Sequence, residues 1–450
     1  MVAASALALS LAAVSLAGES TSRGAGVHAP AAADSLPPSS AWLALLPDGE
    51  TKRRFVLDCT GCHQLHEGIA FTGGRPRTRE EWHAAVQRML GYAGASTGFP
   101  VISAAREPAA TAEWLATHLV KKPAAPRPVP ALPIGEARVT EFPLPVPRDL
   151  PHDVAVDSGG RVLVTGMFTD RIFVLDGTSG TLDTVPIPVP RANPRAVEVD
   201  AQGRWWVVLG APGRLARYEP AQREWRTFDV GFYAHSVAVG RDGRAWANGH
   251  FTRDPAVLAA VDSSGQVQRV ELPRHPSLAT VAGGPIPYEV RVAPDGRVWT
   301  SELQGNRLTW HDPRTGASGA ITMPVEHSGP RRFDIDAHGD LWIPAYANNE
   351  IVRFTPASQR FERFTLPLPD AAPYVVRVDP AGDRLWIGTG AADAVLSFEP
   401  RTRRFTVYPL PSRGAMVRHL AVDPRTRDVW LAYGASPGIP ARVARLTPGR

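Results

Sequence analysis

Residues 290–299 read Val290-Arg291-Val292-Ala293-Pro294-Asp295-Gly296-Arg297-Val298-Trp299. This is an apolar-x-apolar strand, an acidic-Gly turn, and a second apolar strand carrying a tryptophan. The unit returns along the chain. Its first strands are Val154-Ala155-Val156, Val197-Glu198-Val199, Val237-Ala238-Val239, Val290-Arg291-Val292, Phe333-Asp334-Ile335, Val376-Arg377-Val378 and Leu420-Ala421-Val422. The second strands carry Leu163, Trp206, Trp246, Trp299, Trp342, Trp386 and Trp430 at the matching place. A third strand and a fourth follow in each unit, the fourth ending in Pro-Leu-Pro or similar, as in Phe364 to Pro369. Successive first strands lie 43, 40, 53, 43, 43 and 44 residues apart. A four-stranded unit of about 40–45 residues repeated around an axis predicts an all-β propeller. Seven copies predict seven blades; six blades and a degenerate extra unit are the alternative.

Closure of the ring is also written in the chain. The last unit reaches a third strand at Arg442 to Leu446 and has no fourth. The one unassigned segment of that type is Val139 to Pro145, so strand 139–145 is expected to complete the last blade and leave no free edge. The tryptophan column predicts packing between blades. Arg291, Asp334 and Arg377, mid-strand in successive blades, predict an inter-blade ion network, because unpaired charges there are costly. The 53-residue spacing marks an insertion around 274–286, a loop placed to cover one face.

Of 450 residues, 44% are hydrophobic and 21% charged, which excludes disorder along most of the length. Pro (44) and Gly (40) are too frequent for a helical bundle and suit short strands with tight turns. The net charge of +5 comes almost wholly from arginine, and no Lys/Arg block points to nucleic acid. Val2 to Gly18 is an uncharged Ala/Leu-rich run followed by Val27-His28-Ala29, which reads as a signal peptide (1–29) cut near Ala29. The expected location is therefore periplasmic or secreted, with no membrane span after cleavage; an uncleaved anchor is the alternative. Residues 30–41 read as a disordered lead-in. Residues 123–135 hold five prolines and read as a stiff linker ahead of the propeller at 136–450.

Between these lies a segment with different chemistry. Both cysteines of the chain fall in Cys59-Thr60-Gly61-Cys62-His63. Two thiols at this spacing add to the two vinyl groups of a haem, and the following His becomes an iron ligand, so one covalently bound haem c is expected. A thioredoxin-like pair lacks its βαβ unit here, and a zinc site lacks a second Cys pair. Residues 49–58 predict a helix running into the motif. Thr78 and Glu81 form a capping box opening a helix through about Leu90, and residues 107–120 form a last helix with Pro108 in its first turn. Met89 is the one methionine between the motif and the linker. By elimination it is the second iron ligand, with His66, His83 and His118 as alternatives. Residues 42–122 thus resemble the class I monohaem cytochromes c, in the short form with a T-R-E-E-W…R-M helix. The resemblance implies His63/Met89 ligation. The expected fold class is multidomain: a small all-α cytochrome c domain followed by the all-β seven-bladed propeller.

Two places before each first strand stand His152, Arg195, His235, Tyr288, Arg331, Tyr374 and Arg418. These positions open the innermost strands and converge on one mouth of the central channel, and convergent polar groups in a concave mouth make a binding site. Asp153, Glu289, Arg332 and His419 are their neighbours. Three arginines there favour an anionic or carbonyl-rich ligand. His235, expected to titrate near neutrality, and Glu302 are the residues chosen for any proton transfer. The pattern P-H-x-V-x-V-D…G-x-V-W…N-R-I-x-x-D-P across 136–450 resembles the virginiamycin B (streptogramin B) lyases. That resemblance implies a seven-bladed propeller that opens a cyclic depsipeptide by magnesium-assisted β-elimination. It also implies an acid–base set of which His235 and Glu302 are present here. Tyr288 stands where the second His belongs and Ile286 where a Glu belongs. A magnesium site, which needs oxygen ligands, is weakened by the loss. The expected function is haem-mediated electron transfer coupled to a ligand- or partner-binding propeller, served by a redox partner protein or a small-molecule electron donor. A lyase-type enzyme acting on a cyclic peptide or lactone-like substrate is the alternative.

Overall fold

The structure is a computed structural model that describes residues 37–124, 132–277, 284–434 and 439–449. The signal peptide, most of the lead-in, linker residues 125–131 and insertion residues 278–283 lie outside the described residues. Among the described residues no helix is long and apolar enough to cross a membrane.

Seven four-stranded antiparallel sheets follow one another. Numbered as blades 1 to 7, their innermost strands are Pro151–Val156, Pro194–Val199, Ala234–Val239, Pro287–Val292, Asp334–Ile335, Pro373–Val378 and His419–Val422. The seven-bladed propeller read from the repeat is the fold. Four of these strands begin with proline, which suits a first strand position because no ladder N–H is needed there. The six tryptophans of the column are at most 2% exposed. They pack across blade boundaries: Trp342 of blade 5 shares a cluster with Ile387, Leu396 and Phe398 of blade 6. In three blades the preceding turn has a matching purpose, since Trp206, Trp342 and Trp386 donate Nε1–H to Asp200, Asp336 and Asp379 at 2.9–3.0 Å.

The ring closes with the segment the sequence predicts, its strand beginning and ending two residues earlier than the expected 139–145. Strand Ala137–Pro143 pairs antiparallel with Arg442–Pro448, Val139 opposite Leu446 and Phe142 opposite Val443, and becomes the outer strand of blade 7. The linker ends earlier than expected. Ile134 bridges Val407 in parallel, and Gly135 N–H donates to Val407 O at 2.9 Å. Residues 132–135 are thus added to the outer edge of blade 6, where Leu132 reaches its apolar cluster.

Residues 37–124 carry five helices: α1 (Ser39–Leu43), α2 (Glu50–Cys59), α3 (Glu67–Ala70), α4 (Arg79–Ala93) and α5 (Pro108–His118). Helix α1 corrects the lead-in boundary at 41. Trp42 and Leu43 are buried, and Ser39 accepts from Leu65 N–H, so order begins once apolar side chains are available. The capping box is formed at both bonds, Thr78 with Glu81. Helix α4 runs three residues past the expected end at Leu90, through Gly91 to Ala93, so Met89 sits half-buried within its last turns. Phe55 and Trp114 meet edge to face at 5.6 Å and join α2 to α5.

Candidate functional site

The helical unit is seated on the propeller mouth. One apolar cluster contains Trp42, Phe55, Leu57 and Leu115 from the helices and Ile286, Tyr288, Leu303, Tyr346, Tyr374 and Met416 from the blades. Polar bonds frame it. Tyr346 OH donates to Thr60 O at 3.0 Å, Gln64 Nε2 to Gly390 O at 2.7 Å, and Gln304 Nε2 to Asp58 Oδ1 at 2.8 Å. Arg418 Nη2 donates to Cys62 O at 2.8 Å. Gly61 lies so close to the Arg331 guanidinium that a side chain there would collide with it. The C-x-x-C-H turn is what faces the channel.

In five of the seven blades the inner strand is bulged where the predicted column reaches this mouth. The register slips between Pro151 and Val154, Pro194 and Val197, Ala234 and Val237, Pro287 and Val290, and Pro373 and Val375. A bulge adds a residue and re-aims side chains. In blade 5 the regular strand shrinks to Asp334–Ile335, and Arg332 instead bridges Val375 of blade 6 in parallel. A cavity of about 310 Å³ lies between the turn and the mouth, lined by Gly61, Cys62, His152, Arg195, Tyr288, Arg331, Tyr374 and Arg418 among others. Six of the seven column residues therefore share one space.

Two electrostatic layers follow. Deeper in the channel, every arginine has a carboxylate: Arg332 binds Asp153 at 2.6 Å and Glu289 at 3.1 Å, Arg377 binds Glu289 at 2.8 Å, and Arg291 reaches Glu289 at 2.9 Å and Asp334 at 3.5 Å. The predicted ion network is present, with Glu289 as its hub. At the mouth, Arg195, Arg331 and Arg418 are buried without an ion pair among the described residues. Arg331 stacks on Tyr346, Tyr374 and Tyr288 at 4.0, 4.5 and 4.9 Å and donates to Tyr288 OH at 2.7 Å. The hydroxyls of Tyr288 and Tyr374 bond to each other. Burial pushes Tyr288 up; in Tyr374 the Arg331 and Arg418 guanidiniums outweigh burial and hold it down.

His235 differs from expectation. It is fully buried, its Nδ1 bonds Tyr288 O at 2.7 Å, and its Nε2 has no partner. Burial first, then the neighbouring His250, holds it well below the usual imidazole range, so it is neutral near pH 7 and does not titrate there. Glu302 is also not joined to it. Both Glu302 oxygens lie on Arg307, at 2.5 and 3.1 Å, with Thr309 also donating at 3.2 Å. Among the described residues no group of three or more His, Cys, Asp or Glu is placed to hold a metal ion.

The column missed His250, whose ring lies 4.4 Å from His235 and 5.5 Å from Tyr288. A signal for it exists. Counting four residues past the Trp column gives Met167, Gly210, His250, Leu303, Tyr346, Gly390 and Gly434. Met167, His250 and Leu303 line the cavity, while Tyr346 and Gly390 bond the helical unit.

At the turn, both cysteines are free, Cys59 half-buried and Cys62 exposed. Burial pushes the Cys59 thiol up to about 12, opposite to the depressed thiol of a redox-exchange pair. His63 has Nδ1 3.4 Å from Gln64 O, and no hydrogen bond engages its Nε2 among the described residues.

No protein-family model matches the chain, and no curated protein matches it. Solved structures do. A streptogramin B lyase structure is 17% identical with a TM-score of 0.62, covering 70% of this chain and 98% of that one. Virginiamycin B lyase from Staphylococcus aureus is 20% identical with a TM-score of 0.61, covering 69% and 99%. A chain of Kuenenia stuttgartiensis hydrazine synthase is 13% identical with a TM-score of 0.54, covering 68% and 97%. At such identities the likeness is one of fold, and it establishes a seven-bladed propeller resembling virginiamycin B lyase.

Proposed function

We propose that this chain is a c-type haem protein for electron transfer, in which the helical unit carries one haem and the propeller holds a ligand or partner against it. One placement carries the reading: the C-x-x-C-H turn is seated on the channel mouth, bonded through Arg418 to Cys62 O, rather than on the propeller's outer wall. Cys59 and Cys62 would hold the group by thioethers, with His63 and Met89 as iron ligands. The side chains suit it: two unjoined thiols and an imidazole Nε2 without a partner among the described residues. When bound, the group supplies a one-electron Fe(III)/Fe(II) couple. The chain's own residues position the turn: Tyr346 holds Thr60, Gln64 holds Gly390, and Arg106, at 2.7 Å, neutralises Asp58 before the motif. This function goes with a periplasmic or secreted location and with a redox partner protein or small-molecule electron donor.

A lyase-type elimination at the same mouth has less support, because His235 is buried and neutral and Glu302 is committed to Arg307. The test is the full chain produced in cells that mature c-type cytochromes. We expect one haem that resists acid–acetone extraction and is lost in Cys59→Ala/Cys62→Ala. Met89→Ala should abolish the weak near-infrared sulfur–iron band; an unchanged spectrum assigns the ligand to His66, His83 or His118. Two titratable thiols and no haem would remove the reading.

A further inference from the structure

We infer that Arg195, Arg331 and Arg418 form a receptor for the carboxylate of a small free organic acid, bound in the cavity between the propeller mouth and the Cys59–His63 turn. The inference rests on the proposed function only for the cofactor beside the cavity; the receptor itself is built from propeller side chains.

Charge balance is the first ground. The three arginines are 5%, 2% and 4% exposed, and none has a carboxylate partner among the described residues. A buried cation without a counter-charge is costly, and this fold meets that cost elsewhere, since the deeper arginines share Asp153, Glu289 and Asp334. The carboxylate that does line the cavity, Asp58, is already taken by Arg106 at 2.7 Å and Gln304 at 2.8 Å. Three positive charges therefore face one space with no fixed negative charge to meet them.

Unmet donors are the second. Arg418 Nη1, a terminal guanidinium nitrogen, is buried with no hydrogen-bond acceptor; Arg195 Nε and Arg331 Nε also lack one, as Nε of the paired Arg291 and Arg332 does, so Arg418 is the telling case. Buried N–H groups almost always have one. A guanidinium fork pairs best with a planar carboxylate, two parallel bonds at a time. The receptor is also preorganised: Arg331 is clamped by Tyr288, Tyr346 and Tyr374, so little freedom remains to be lost on binding.

The remaining walls give the class its other half. Leu57, Phe99, Val101, Met167, Phe168 and Leu303 line the same cavity, and Phe168 stands 62% exposed at its edge. A volume of about 310 Å³ is room for roughly ten water-sized groups. The ligand is a compact acid with an apolar body, too small to be a nucleotide or a peptide of several residues.

The test uses the purified holoprotein, with benzoate as probe and benzamide as its uncharged counterpart, followed by calorimetry. Benzoate should saturate at one per chain and bind about tenfold or more tighter than benzamide. Arg418→Gln and Arg195→Gln should each weaken benzoate by about 30-fold or more while leaving benzamide unchanged, and Arg418→Lys should restore part of the loss. Equal binding of the two probes by the unaltered protein, or none, overturns the inference without reference to any variant's folding. So does an Arg418→Gln protein that keeps benzoate but shifts its reduction potential, since the arginines would then serve the haem's own propionates. A chain that acquires no haem in cells that mature c-type cytochromes, yet binds benzoate, would sink the cofactor reading and leave the receptor standing.

Discussion

Arg331 and Arg332 are adjacent in sequence and divide the channel's positive charge between two layers. Arg331 faces the cavity among tyrosines; Arg332 turns inward to Asp153 and Glu289. Removing the second leaves buried Asp153 without its arginine, while Glu289 keeps Arg377 and Arg291. Arg332→Met should cost about 3–5 kcal/mol in urea denaturation, whereas Arg404→Ala, which breaks an exposed pair with Glu399, should barely move the midpoint. Asp393 offers a pH test. Burial raises its carboxyl to about 6, against the backbone N–H of Ala415 and the guanidinium of Arg413, which lower it. The folded state thus holds this proton more tightly than the unfolded chain. Stability from this group is full below about pH 4 and is lost as pH rises to about 6, a fall of about 3 kcal/mol. Asp393→Asn keeps an oxygen acceptor and tolerates the left-handed backbone there (φ 49°). It should flatten that part of the pH–stability curve, measured by denaturation from pH 4 to 7.

At the level of elements, strand Ala137–Pro143 is the test of closure. Deleting residues 137–143 exposes the Arg442–Pro448 edge of blade 7 and should lower the melting temperature sharply and promote aggregation. A variant that melts like the full chain would refute the closure. This strand was legible in the chain because a missing fourth strand and a matching orphan segment constrain each other. The blades were legible because alternation, acidic turn and tryptophan repeat in fixed register. The mouth column was legible for the same reason, since one offset from each first strand selects it. What the chain hid depends on neighbours that no local pattern encodes. The neutrality of His235 comes from its burial beside His250, a residue of its own blade but outside the column. Glu302 looks available in sequence, yet Arg307, five residues on, occupies it. The parallel addition of residues 132–135 to blade 6 follows from an open outer edge, not from any strand signature in a proline-rich run.

For the whole molecule, the decisive feature is the seat of the helices on the mouth. Residues 132–450 produced alone should expose Ile286, Leu303, Tyr346, Tyr374 and Met416, now covered by Trp42, Phe55 and Leu57. We expect this fragment to bind a hydrophobic dye that the full chain does not, and to be less soluble. Equal dye binding would mean the two parts do not need each other. The closing strand carries a further consequence, one of timing. It pairs with Arg442–Pro448 across almost the full propeller, so blade 7 is incomplete until those residues exist. The five helices end at His118, about 330 residues earlier. At ~5–20 residues per second, synthesis puts ~17–66 s between the two events. Throughout that interval Tyr346, Gly390 and Arg418, the propeller residues that hold the cysteine turn, are still being added, so its sulfurs stand clear of the mouth until the later blades exist.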